Sequence, residues 1–172
     1  AIEAYQRADS KLRNPAIKMN LGGLLVLTER MNDAVKPLTD AINHPQMAAG
    51  AYHGLGQASY KLGKHKQAVR YLLQCLHLVD SVQSLISDDA DQEESIYTRL
   101  TTILEGANDE NIAIIAKRFI ELLAGKEWKQ RTTDMSRQLE ETLREQGVQG
   151  LIDILIAEEG DREVVPFADV VI

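Results

Sequence analysis

The side chains best suited to chemistry in this sequence are four histidines, His44, His53, His65 and His77, and one cysteine, Cys75. A zinc site carried on a helix needs two ligands a turn apart, so that both project from one face. No two of the histidines fall at that spacing, and Cys75 lies on an apolar stripe. His65, next to Gly63-Lys64, reads as a turn or packing residue. A nucleophile elbow (Gly-x-Ser-x-Gly) is absent, and no Cys/His pairing is indicated. Glu158-Glu159 are neighbours, and neighbours on a helix do not face each other, so they read as a solvated end. Ser87-Asp88-Asp89-Ala90-Asp91-Gln92-Glu93-Glu94 has ligands for a hard cation but not the glycine-centred twelve-residue calcium loop. It reads as a linker and helix start. Leu21-Gly22-Gly23 and Gly54-Leu55-Gly56 lack the preceding strand and the Lys-Ser/Thr of a phosphate loop. Trp128, between Lys126 and Arg131, could sit in a patch for nucleic acid or an acidic peptide. The simpler reading is a Trp buried between helices with charges around it. These residues predict no catalytic group, no metal site and no cofactor.

The composition narrows the partners. The formal net charge is -7, which argues against a nucleic-acid surface and disfavours an anionic membrane. Hydrophobic residues make up 44% and aromatics only 5%, a balance that suits packed helices better than a sheet. One cysteine permits no internal disulfide, which fits a reducing, cytoplasmic setting. No apolar run approaches the ~18 residues of a membrane span. The chain opens Ala1-Ile2-Glu3 with no initiator Met or signal pattern, so a fragment of a longer protein is expected.

The elements that must position any site emerge from internal repetition. At an offset of 34 residues, Leu21-Gly22 falls on Leu55-Gly56, Ala34-Val35 on Ala68-Val69, and Leu38 on Leu72. Ala41 meets Cys75 and Ile42 meets Leu76. Each unit reads as two helices: Pro15 to Thr28 with Met31 to Asn43, then Met47 to Leu62 with His65 to Val79. Pro15 suits a first helical turn, Gly63 a helix stop, and Asn43-His44-Pro45 a break between units. Gly22 and Gly56 lie inside helices, where glycine costs up to ~1 kcal/mol against alanine. Close approach of the paired helix at Ala34 or Ala68 is the expected compensation.

Tyr52-x2-Leu55-Gly56-x2-Ser59, followed by Ala68-x3-Leu72 and Cys75, resembles the signature of the tetratricopeptide repeat family. The match covers Ala51 to Asp80, with Tyr52 where Trp is usual, Ser59 for Tyr, Leu72 for Phe and Asp80 for Pro. Ala16 to Pro45 is a weaker match, with Lys18 at the usual aromatic position. Ala1 to Ala8 resembles the second helix of a truncated preceding unit. The resemblance implies an all-α fold: antiparallel helix-turn-helix repeats stacked as a right-handed superhelix, an α-solenoid, whose first helices line a concave face. That face would carry Met19, Gly23, Val26 and Leu27 from one unit and His53, Gln57, Tyr60 and Lys61 from the next. The family's carboxylate clamp wants Lys and Asn where this chain has Met19 and Gly23, then His53 and Gln57, so the clamp is absent. The remaining face suits an amphipathic helix or extended peptide.

Beyond Asp80 the register is lost but helical periodicity continues. Ile96, Leu100, Ile103 and Leu104 form one stripe. Ile112, Ile115, Ala116, Phe119, Ile120 and Leu123 form another, capped by Asn108-Asp109 and stopped at Gly125. A helix from Thr133 to Gln146 ends at Gly147, and Val148 to Ala157 reads as a short helix buried on most sides. The domain reading is 1–80 repeats, 81–159 a degenerate repeat with capping helices, and 160–172 an extended tail. The expected function is a non-catalytic scaffold that binds a protein or peptide, without nucleic acid or membrane, and with homo-oligomerisation left open. The alternative is a regulatory or sensor domain controlling an attached effector, which predicts a closed pocket between the repeats and the helices after Asp80. That pocket would follow if the C-terminal helices cover the concave face.

Overall fold

The computed structural model describes residues 1–12, 14–84, 95–125 and 127–157. The acidic run 87–94, the pair Glu158-Glu159 and the tail 160–172 lie outside the described residues. Within them the chain is all-helical: α1 Ile2–Leu12, α2 Pro15–Leu27, α3 Met31–Ile42, α4 Pro45–Lys61, α5 His65–Ser84, α6 Ile96–Glu105, α7 Asp109–Leu122 and α8 Trp128–Ile156. Helix starts follow local chemistry. The Asn14 side chain accepts from the Ala16 N–H (2.9 Å) with Pro15 in the first turn. Asn108 accepts from the Asn111 N–H (2.8 Å) to start α7. Both are side-chain acceptors for amides that the helix leaves unpaired.

The 34-residue period extends to individual hydrogen bonds. At the α2–α3 turn the Arg30 N–H donates to the Leu25 carbonyl (2.8 Å) and the Glu29 N–H to that of Val26 (3.1 Å). At the α4–α5 turn the Lys64 N–H donates to Ser59 (2.9 Å) and the Gly63 N–H to Tyr60 (3.0 Å). Both turns therefore close in the same six-to-one pattern, which requires one left-handed residue. Gly63 takes it with φ 73°, and Glu29 takes it with φ 58°. A side chain at positive φ costs free energy that glycine does not.

Packing explains the helical glycines. A Cβ on Gly22 would stand 2.5 Å from the Leu38 side chain, and a Cβ on Gly56 would stand 2.6 Å from Leu72. Leu38 and Leu72 are both fully buried. The close approach thus falls on these leucines, one turn beyond the expected Ala34 and Ala68, because each leucine projects into the groove its paired glycine leaves open. Lys18 of α2 reaches across to Asp40 of α3 (2.6 Å). That hydrogen bond holds the Asp40 carboxyl below its usual range.

Helices α2 and α4 run side by side in one direction: Met19 lies against Gly50 near their starts, and Val26 and Leu27 share a cleft with Tyr60 and Lys61 near their ends. Lys66 pairs with Asp109 (3.5 Å) and Arg70 with Glu105 (3.3 Å). The start of α5 therefore lies beside the start of α7 and the end of α6. Helix α7 packs on both α5 and α4, parallel to the first and antiparallel to the second. Helix α6 ends beside the start of α5 and runs antiparallel to it, and α7 returns parallel to α5.

Polar anchors hold this C-terminal part down. The Tyr97 hydroxyl donates to the Thr132 carbonyl (3.3 Å), and the Ser136 hydroxyl lies 3.5 Å from the Asp80 carboxylate. Arg131 donates to the Leu122 carbonyl (3.2 Å) and to that of Ala124, placing a cation at the end of α7. Helix α8 starts at Trp128, earlier than expected, and breaks at Gly147 (φ 70°). Its second arm buries Leu151 and Leu155, and Arg118 donates to the Ile154 carbonyl. Val148 is 49% exposed, while Leu151 and Leu155 are buried and Ile154 and Ile156 pack partly buried against the core, so this arm is buried along one side and not on most sides.

Two substitutions at adjacent glycines separate packing from propensity. Gly22→Ala is expected to lower unfolding free energy by ~1–3 kcal/mol through overpacking against Leu38. Gly23→Ala, whose Cβ would meet nothing within 4 Å, is expected to be neutral or to raise it by up to ~1 kcal/mol. Urea denaturation reads both. In the same assay, Glu29→Gly should stabilise by up to about 1 kcal/mol by removing a side chain from positive φ.

Candidate functional site

The structure brings five of the eight residues expected on a concave face to one place. Val26 and Leu27 from the end of α2 and Gln57, Tyr60 and Lys61 from the end of α4 line a cleft of about 350 Å³. Glu29 and Met31 from the α2–α3 turn complete one wall, and Lys117, Ile120 and Glu121 of α7 form the other. Tyr60 is half-buried, its ring 5.3 Å from the His65 ring, so His65 packs at the turn and orients the tyrosine. Leu27 is 82% exposed. On the far wall Lys117 pairs with Glu121 (3.7 Å).

The other three residues lie elsewhere. Met19 packs against Gly50, where an added Cβ would meet its methyl carbon at 2.7 Å. Gly23 is half-buried with open space beside it. His53 lines a second cleft of about 280 Å³ with Ala49, Gly50, Cys75, Val79, Leu123 and Trp128. This cleft lies between α4 and α5 on one side and the end of α7 and start of α8 on the other. Burial pushes the Cys75 thiol up to about 12, so it is a core group and not a thiolate nucleophile at neutral pH. Burial also lowers the His53 pKa, and its buried Nε2 makes no hydrogen bond among the described residues. Trp128 is half-buried on the core, with the Lys129 ammonium 5.7 Å from its ring centre.

Periodicity missed the α7 wall. Ile120 was legible as an inward residue, but nothing in the sequence says that α7 lies along α4. Glu29 was hidden for a different reason: its turn has the geometry of Gly63 without the glycine. Among the described residues no group of three His, Cys, Asp or Glu side chains could hold a metal ion, and no helix is long and apolar enough to cross a membrane. The cleft at the ends of α2 and α4 has an apolar floor with charged edges. No family model, curated protein or solved structure matches this chain.

The His53 environment makes a pH prediction. A histidine whose folded pKa is depressed binds its proton more readily when unfolded. Its contribution is therefore intact above the unfolded value near 6.5 and is lost as pH falls from there through the lowered folded pKa. Unfolding free energy should drop between pH 7 and 5 in the natural chain and drop less in His53→Gln. Parallel curves for the two proteins would contradict this.

Proposed function

We propose that this chain is a non-catalytic binding scaffold of the tetratricopeptide type, with α2–α3 and α4–α5 as stacked units of a right-handed superhelix and α1 as the remnant of a preceding one. Its partner is a protein segment held in the cleft between α2, α4 and α7. The observation that carries this reading is the convergence of Val26, Leu27, Gln57, Tyr60 and Lys61 on one cleft. The matching turn hydrogen bonds and the paired contacts of Gly22 with Leu38 and Gly56 with Leu72 support the repeat assignment. A setting in the cytoplasm accords with the single buried free thiol.

One observation favours a regulatory reading beside it. Helix α7 lies along α4 and bounds both clefts, so a ligand in either cleft would touch the repeats and the C-terminal helices together. A domain that couples binding to an attached effector would need such a shared wall.

The test uses the tagged chain to recover its partner. Leu27→Asp, Gln57→Ala and Tyr60→Ala should each reduce recovery at least ~10-fold, the loss typical of a buried contact at an interface centre. Helicity by circular dichroism should stay unchanged. Recovery unaltered in all three variants would overturn the scaffold reading.

A further inference from the structure

His53 stands in the second cleft with nothing beside it to receive a positive charge. The other lining residues are Ala49 and Gly50 of its own helix, Cys75 and Val79 of α5, Leu123 at the end of α7 and Trp128 of α8. No carboxylate is among them. Cys75 is the one titratable side chain in that set, and burial pushes its thiol up to about 12, so it stays neutral. The nearest charge on the α8 side, the Lys129 ammonium 5.7 Å from the Trp128 ring centre, is itself a cation. The buried Nε2 of His53 makes no hydrogen bond among the described residues. A neutral imidazole tolerates that, because one of its two nitrogens carries no hydrogen. An imidazolium does not: both nitrogens then carry N–H, and one of them would be a buried cationic donor without an acceptor. On protonation a wall of the cleft has to move.

The wall with least to hold it is the start of α8. Ala49, Gly50, Cys75 and Val79 lie inside α4 and α5, which pack along each other. Trp128 is the first residue of α8, a helix without a side-chain cap, and it follows Gly125 at φ 79°. Its ring is only half-buried. We propose that His53 is an acid-operated release for the start of α8: the neutral ring lets Trp128 dock, and the protonated ring drives Trp128 out of the cleft while the helices stay formed. The carboxyls with displaced pKa values do not produce this effect. Asp80 of α5 faces Ser136 of α8, with His77 on its own helix, and burial raises its pKa. Acid therefore relieves a cost at Asp80 and tightens that seam. Asp40 is held low by its hydrogen bond from Lys18, so its contribution begins to fall only near the ordinary carboxyl value of 3.8. Between neutral and mildly acid pH, His53 is the group among these whose protonation loosens the fold.

The chain has one tryptophan, so its fluorescence reports on this cleft. The full chain is titrated from pH 7 to 5 while the emission maximum, acrylamide quenching and far-ultraviolet circular dichroism are followed together. Emission should move to longer wavelength and quenching should rise once the pH falls below 6.5, with helicity unchanged. Both changes should vanish in His53→Gln. His53→Phe, neutral and aromatic, serves as the second variant where the first does not fold, with the same expectation. His77 is the rival histidine, since its buried Nδ1 also makes no hydrogen bond among the described residues. His77→Gln should keep both changes. An unchanged signal in the natural chain, the same change in the His53 variants, or its loss in His77→Gln overturns the proposal. A drop in helicity that tracks the fluorescence shows unfolding of the whole chain and overturns it too.

Discussion

The contact between a helical glycine and a leucine on the next helix is the constraint on which the first half of this protein depends. Gly22 receives Leu38, and Gly56 receives Leu72, at separations that leave no room for a methyl group. Each contact brings two antiparallel helices close enough to bury Ala34 or Ala68 completely. The helix pays a propensity cost at glycine, and the leucine's full burial offsets it. Because both contacts recur at one period, α2 and α4 come to lie side by side in the same direction. Their C-terminal ends are then neighbours, and the cleft forms where those ends meet.

The second half is organised by different forces. Its helices share a core with α5, and that core runs from Ala68 to Leu155. Direction and placement come from particular polar contacts: Lys66 with Asp109, Arg70 with Glu105, Tyr97 with Thr132, and Arg131 at the end of α7. Asp80 illustrates the change. It closes the stretch that keeps the 34-residue period, burial raises its pKa, and it faces Ser136 of α8. A residue that reads as a tolerated departure in the repeat is an attachment point for the helices that follow it.

The two clefts reflect these two regimes. One is walled by the ends of α2 and α4 and closed on the far side by α7, so it needs both halves of the molecule. The other holds the partly buried His53 beside Trp128. Burial pushes the Cys75 thiol up to about 12 and lowers the pKa of the His53 imidazole.

Helix positions, the 34-residue period and the core stripes were written in the sequence, because apolar spacing, capping asparagines and glycine stops act over a turn or two of chain. Gly147 was legible as a break for the same reason. Of the positions on α2 and α4 that the repeat resemblance singled out, five line one cleft. Only the tertiary structure decided that α7 would be the other wall, that it would run against α4, and that Met19 and His53 would lie away from Tyr60. Those outcomes depend on how separate helices dock, which is set by contacts between residues tens of positions apart and leaves no local periodic trace. The left-handed turn at Glu29 belongs with them: its geometry is imposed by the six-to-one bonds of a repeated turn, while the residue type gives no local sign of it.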